Sequence, residues 1–233
     1  MAMRGSIRVS AIQWSAVITN SNVPDTSLAT ALRTRTVLAD GGMGTMLQAH
    51  DLSLDDFAGL EGCNEILSVT RPDVLESIHG AYLEAGAEAV ETNTFGTNHA
   101  ALAEYEIVDR LAELASAAAR VARTAADAAS TPERPRWVLG SMGPGTKLPT
   151  LGQIAFGTIR DAYRLQAAAM LDSGVDAVLI ETCQDLLQTK AAVIAAHEAM
   201  AQVGRVVPIM VSVTVETTGT MLMGSEIGAA LTA

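Results

Sequence analysis

The chain has 233 residues, enough for one sizeable hydrophobic core or two small ones, and 49% of them are apolar while only 3% are aromatic. Ala, Val and Leu must therefore fill the interior, as in helices packed on a parallel sheet whose strands are buried on both faces. The net charge of −11 becomes −14 once residues 1–36 are set aside, because these carry Arg4, Arg8, Arg33 and Arg35 against Asp25; so acidic a body argues against nucleic acid or an anionic membrane as partner.

Cys63 and Cys183 are far apart and have no neighbours at metal-ligand spacing. That usage excludes a disulfide scaffold and a zinc site, which takes three or four ligands, and it points to a reducing cytoplasm. No run is apolar and long enough to span a bilayer. The first 24 residues lack acids and contain Arg and Ser, a pattern shared with organelle transit peptides. Residues 1–33 are read instead as an N-terminal extension, expected to be disordered.

From Thr36 onward, apolar runs alternate with helical periodicity. Thr36–Ala39 reads as a first strand. Thr70 stands where it can cap a helix with Pro72 in its first turn; Val74, Leu75, Ile78 and Tyr82 form one apolar stripe, and Gly86 supplies the left-handed stop. Ala89–Thr92 is a second strand, and an Ala-rich helix follows over about 108–129. Trp137–Ser141 is a third strand, Ile159–Ser173 a helix stopped by Gly174, and Ala177–Glu181 a fourth strand. Leu186–Gln202 is a helix stopped by Gly204, Pro208–Thr214 a fifth strand, and Ser225–Leu231 the start of a further helix.

Two segments repeat one design: Tyr82-Leu-Glu-Ala-Gly86-Ala-Glu-Ala-Val90-Glu-Thr92 and Met170-Leu-Asp-Ser-Gly174-Val-Asp-Ala-Val178-Leu-Ile-Glu-Thr182. In each, a helix ends at glycine and a strand delivers Glu-Thr to its far end. Repeated βα units in this register favour a (β/α)₈ TIM barrel, incomplete at about five of eight units, over a doubly wound sheet, which the residues alone leave open.

Acids at strand tips mark the candidate site, since α/β proteins keep their chemistry at the carboxyl ends of strands. Asp40-Gly-Gly-Met-Gly-Thr45 follows the first strand. Asp40 can bind an ammonium group while the Gly41 and Gly42 amides reach a carboxylate, or it can simply cap a tight turn. Glu181 ends an apolar strand, so its carboxylate either faces a pocket or needs a partner such as an amine or a loop cation. Glu91 faces the same choice, beside the loop Thr92-Asn-Thr94-Phe95-Gly-Thr-Asn98, from which Thr92 and Phe95 join the candidate substrate site. Gly140-Ser-Met-Gly143-Pro-Gly145-Thr-Lys147 has glycines and a lysine after a strand, but the order is wrong for a P-loop, which leads Gly-Lys-Ser/Thr into a helix. Cys183 lies two residues past Glu181 and reads as a small apolar filler rather than a nucleophile.

Taken in order, DGGMGTMLQ (40–48), LEGCNEIL (60–67), RPDVLESIH (71–79), EAGAEAVETNTFGTN (84–98), VLGSMGPGTKLPTLG (138–152), LIETCQDLLQTKAA (179–192) and VTVETTGTMLMGSEIGAALTA (213–233) resemble the N-terminal homocysteine-binding region of the cobalamin-dependent methionine synthases, a form of the homocysteine S-methyltransferase family. Free-standing homocysteine S-methyltransferases share the DGG and Glu-Thr themes, so a fragment of one is the alternative, as is a non-catalytic amino-acid-binding half barrel.

The resemblance implies a (β/α)₈ barrel over residues 34–233 with homocysteine at the strand C-terminal ends. Asp40 and Glu181 would hold the substrate amine, with Gly41 and Thr92 near its carboxylate. It further implies a zinc ion held by three cysteines that activates the homocysteine thiol, methylcobalamin as methyl donor, methyltetrahydrofolate as the ultimate source, and folate- and cobalamin-binding domains as partners. Those cysteines lie after the sixth and eighth family strands, and Cys63 and Cys183 stand at other positions. This chain is therefore expected to hold no metal or cofactor alone, to be inactive alone, and to be cytoplasmic.

Overall fold

The computed structural model describes residues 27–233, so the expected extension over 1–26 lies outside the described residues. Residues 27–33 depart from the expectation of disorder. Ser27 caps helix α1 (Leu28–Thr34) by accepting the Thr30 N–H at 3.2 Å. Leu28 and Ala31, three apart on one face, are buried with Trp137, Leu139 and Leu179.

Four parallel strands form one sheet in chain order: β1 (Ala89–Glu91), β2 (Trp137–Met142), β3 (Ala177–Cys183) and β4 (Ile209–Val213). The predicted strand Thr36–Ala39 contributes only a single parallel bridge, Ala39 to Ala89. Its few residues run between the end of α1 and the glycine turn; Val37 packs partly on the inner face, while Leu38 is 57% exposed.

The remaining helices are α2 (Met43–Leu47), α3 (Leu67–Thr70), α4 (Pro72–Ala85), α5 (His99–Glu104), α6 (Leu111–Ala129), α7 (Phe156–Asp172), α8 (Leu186–Val203) and α9 (Ile227–Thr232). Thr70 does not cap α4. It ends α3, its hydroxyl donating back to Ile66 O at 3.2 Å, and Arg71 occupies the cap position without a side-chain bond. Gly86, Gly174 and Gly204 have the positive φ that these helix ends need, which the sequence pattern had anticipated.

Strand alternation divides the core. Val90, Val138, Met142, Val178 and Ile180 pack beneath the alanine faces of α6, α7 and α8, where small side chains let helices approach the sheet closely. Ala89, Trp137, Leu139, Ala177 and Leu179 point the other way and meet α1 at the N-terminal end of that face. Two residues further along the same parity come Glu91, Ser141 and Glu181. β4 is an edge strand, and Val211 on it is 45% exposed.

Candidate functional site

A cavity of about 430 Å³ opens at the strand C-terminal ends, lined by Asp40, Gly41, Gly42, Thr92, Phe95 and Glu181, all six of the predicted site residues. Glu91, Ser141, Asn93, Met43, Gly44, Asn64 and Glu65 complete the wall.

Asp40 is fixed by its backbone, whose N–H donates to Ala89 O at 3.0 Å. Its carboxylate in turn accepts the Glu91 N–H at 3.0 and 3.2 Å. Behind it on α4 lies His79, Nδ1 at 4.0 Å from Asp40 Oδ2, fully buried and with neither ring nitrogen hydrogen-bonded among the described residues. Burial alone pushes that imidazole down to about 4, so it is neutral at pH 7.

Glu181 accepts from the Ser141 hydroxyl at 2.5 Å. The next residue, Thr182, has φ +57°, a conformation costly for a β-branched side chain, and its N–H donates to Ser212 Oγ at 3.0 Å. The β3–β4 register shifts between Ile180 and Cys183. Ordinary alternation puts Glu181 on the pocket face with Leu179, and the bulge returns Cys183 to the helix-side core, against that alternation.

Among the described residues, the wall contains four carboxylates and no Lys, Arg or His. Desolvation, partly offset by hydrogen bonds, raises Asp40 to about 7, with Glu181 adding repulsion. Desolvation, then the charges of Glu181 and Asp40, raise Glu91 to about 8. Glu65 is raised by burial although it accepts the Gly96 N–H at 3.0 Å.

Thr92 lines the cavity, but its polar groups are committed elsewhere. Its hydroxyl accepts the Ser141 N–H at 3.0 Å and pairs with Thr94 Oγ1 at 2.6 Å, its N–H donates to Leu139 O, and its carbonyl accepts from Thr94 N–H. Thr92, expected near a ligand carboxylate, thus has its hydroxyl and N–H engaged within the protein. Phe95 is 46% exposed at the rim.

Sequence reasoning missed Ser141, although strand parity two residues past Leu139 was a usable signal. It also missed Glu65, whose approach depends on Gly96, since a Cβ there would strike the Glu65 carboxylate. Nothing local in Gly62-Cys-Asn-Glu65 announces that contact.

Zinc does not fit the residues present. Among the described residues no three His, Cys, Asp or Glu side chains are grouped to hold a metal. The soft thiol donors are buried elsewhere: Cys63 packs with Ile66, Leu102 and Leu111, and desolvation, then Glu65, pushes it up to about 11; Cys183 is likewise raised by burial.

The class so defined is an α/β domain with a parallel sheet and an acidic pocket at the carboxyl ends of its strands. The particular family follows from sequence: residues 37–233 match homocysteine S-methyltransferase, and the chain belongs to that family. It is 62% identical over 209 residues to methionine synthase of Mycobacterium tuberculosis (strain ATCC 25618 / H37Rv) and 59% identical over 214 residues to that of Mycobacterium leprae (strain TN). These alignments cover 90% and 92% of this chain but 18% of each relative, so the chain spans under a fifth of their length. Among solved structures, the homocysteine methyltransferase MmuM from Escherichia coli superposes with TM-score 0.68 in its metallated form and 0.69 in its oxidized form. At 22% identity, covering 86% and 91% of this chain and 71% and 72% of that one, the likeness carries the fold alone. No helix among the described residues is long and apolar enough to cross a membrane.

Proposed function

We propose that residues 34–233 are the homocysteine-binding part of a methionine synthase, built as a (β/α)₈ barrel of which this sequence carries about five units. α1 closes the N-terminal end of the inner face. The reading is supported by the identity to the two mycobacterial synthases and by the exposed edge at β4.

One observation carries the substrate assignment: Asp40, Glu91 and Glu181 line one pocket, and no basic side chain among the described residues stands in its wall. Such a site selects a cationic group, and an α-amino acid supplies one. In this reading Asp40 and Glu181 hold the homocysteine ammonium, the Gly41 and Gly42 amides receive its carboxylate, and Phe95 covers its side chain at the rim. Thr92 supports Ser141, and through it Glu181, rather than touching the ligand.

Methyl transfer from methylcobalamin to the homocysteine thiolate, with methyltetrahydrofolate as the ultimate donor, is assigned to the whole protein, with folate- and cobalamin-binding domains as partners and the cytoplasm as compartment. Zinc-assisted thiol activation is not assigned to any residue described above, because the pocket offers carboxylates instead of thiolates. This donor set also favours a second reading, an amino-acid-binding unit that does no chemistry alone. Under either reading the 233-residue chain forms no methionine when given methylcobalamin, zinc and homocysteine.

Calorimetric titration of the chain with L-homocysteine tests the assignment. Asp40→Asn and Glu181→Gln should each weaken binding by roughly 1.5–3 kcal/mol, the range for a hydrogen bond to a charged group. Unchanged affinity in both variants would refute it, as would equal affinity for 4-mercaptobutyrate, which lacks the amine.

A further inference from the structure

Glu91 differs from the other acids of the pocket. Asp40 accepts a backbone N–H, Glu181 accepts the Ser141 hydroxyl, and Glu65 accepts the Gly96 N–H. The Glu91 carboxyl receives no hydrogen bond among the described residues, and its own N–H supports the charge of Asp40. The groups facing it do not compensate. Asp40 lies beside it, Glu181 and Ser141 come from β3 and β2, and Glu65 comes from the segment before α3. On α4, Tyr82 directs its hydroxyl to Gly42 O at 3.4 Å, and His79 is buried, neutral and without a hydrogen-bond partner among the described residues, 4.0 Å behind Asp40. A row of carboxylates with no cation among the described residues of the wall cannot all be ionised cheaply, and the one without a donor is where a proton resides.

We propose that Glu91 is a third carboxyl of the amine site, neutral while the pocket is empty and ionised when a cationic amine enters, so that amino-acid binding expels a proton. This rests on the pocket being an amino-acid site. The step balances: the Glu91 carboxylic acid and a protonated amine become a carboxylate–ammonium pair, and one proton passes to solvent. Binding then strengthens as pH rises toward the ionisation of Glu91, since less work is needed to remove the proton. The direction and cause of the shift at Glu91, burial reinforced by Glu181 and Asp40, support the same assignment.

The test uses the full chain and L-methionine, which has the amine and carboxylate but no titratable thiol, so any proton released comes from the protein or the amine. Calorimetry at pH 7 in buffers of different ionisation enthalpy counts protons. The wild type should release about one proton more per methionine than Glu91→Gln. Equal counts in the two proteins overturn the proposal. Independently of any ligand, the ¹³C carboxyl resonance of Glu91, assigned by its loss in Glu91→Gln, should titrate well above ordinary glutamates; titration in the ordinary range overturns the proposal whatever the binding result. Absence of methionine binding with Glu91 still titrating high would instead count against the amino-acid reading of the pocket.

Discussion

Replacing Glu91 by Gln keeps the shape of the side chain and removes its charge, and the stability change should depend on pH in a defined direction. The folded-state value of Glu91 is raised from 4.5 to about 8 by burial, Glu181 and Asp40. A carboxyl raised on folding contributes its full stability below the unfolded value and loses it as pH climbs to the folded one. The wild type therefore weakens between about pH 4.5 and pH 8, and Glu91→Gln does not. The shift sets a ceiling of roughly 5 kcal/mol. Because Glu91 borders an open cavity, solvent screening reduces the expected gain of the variant to about 2–3 kcal/mol at pH 8.5, against near zero at pH 4.5. The Asp40 contribution has the same sign and is present in both proteins, so it largely cancels in the difference. Urea denaturation at the two pH values, with equal m-values, measures it. A gain that is the same at both pH values, or a variant less stable than wild type at pH 8.5, would refute the reasoning.

Gly143→Ala should cost about 1–3 kcal/mol, because a Cβ there would meet the Phe95 carbonyl and ring, and a backbone atom cannot swing aside; an unchanged urea midpoint would count against this. Thr182→Gly should leave stability level or raise it by up to about 1 kcal/mol, since glycine relieves the left-handed strain while adding chain entropy. A loss above about 1 kcal/mol would show the bulge to be unstrained. His79, pushed down to about 4 by burial, makes the fold lose up to roughly 3 kcal/mol as pH falls from 6.5 to 4, because only the unfolded imidazole takes up a proton freely. His79→Leu should therefore show a flatter acid limb in pH-dependent thermal unfolding, and an unaltered limb would show that His79 is protonated in the fold.

The strands and long helices were legible because their signals are local: Gly86, Gly174 and Gly204 end helices, and short apolar runs lie between them. The strand expected at Thr36–Ala39 is reduced to one bridge beside β1, in which the Ala89 N–H donates to Leu38 O and the Asp40 N–H to Ala89 O, and the pairing extends no further. Asp40 and Glu181 were legible as acids ending apolar runs. Their partners were not. Ser141 reaches Glu181 across 40 residues of chain, Gly96 reaches Glu65 across 31, and His79 sits beneath Asp40 from a helix whose apolar stripe had no stated place for it. Such pairings follow from strand order and register, which composition does not encode.

The two Glu-Thr repeats show how far like sequence permits unlike structure. At the tip of β1, Thr92 stays in register, its hydroxyl accepts the Ser141 N–H, and this ties β1 to β2. At the tip of β3, Thr182 enters the left-handed region, and its N–H goes to Ser212 of β4. The difference follows from what comes next. After Thr92 the chain leaves the sheet into a buried loop, Asn93 donating to Asn64 O at 2.8 Å, so no further strand residue must be sided. After Thr182 the strand ends at Cys183, which must enter the helix-side core, and the chain then reaches Asp185, which caps α8 through Leu187 N–H and ties down Thr150. Ordinary alternation would turn Cys183 toward the acidic pocket. One strained residue corrects the parity, leaving Glu181 facing the cavity with the Ser141 hydroxyl upon it.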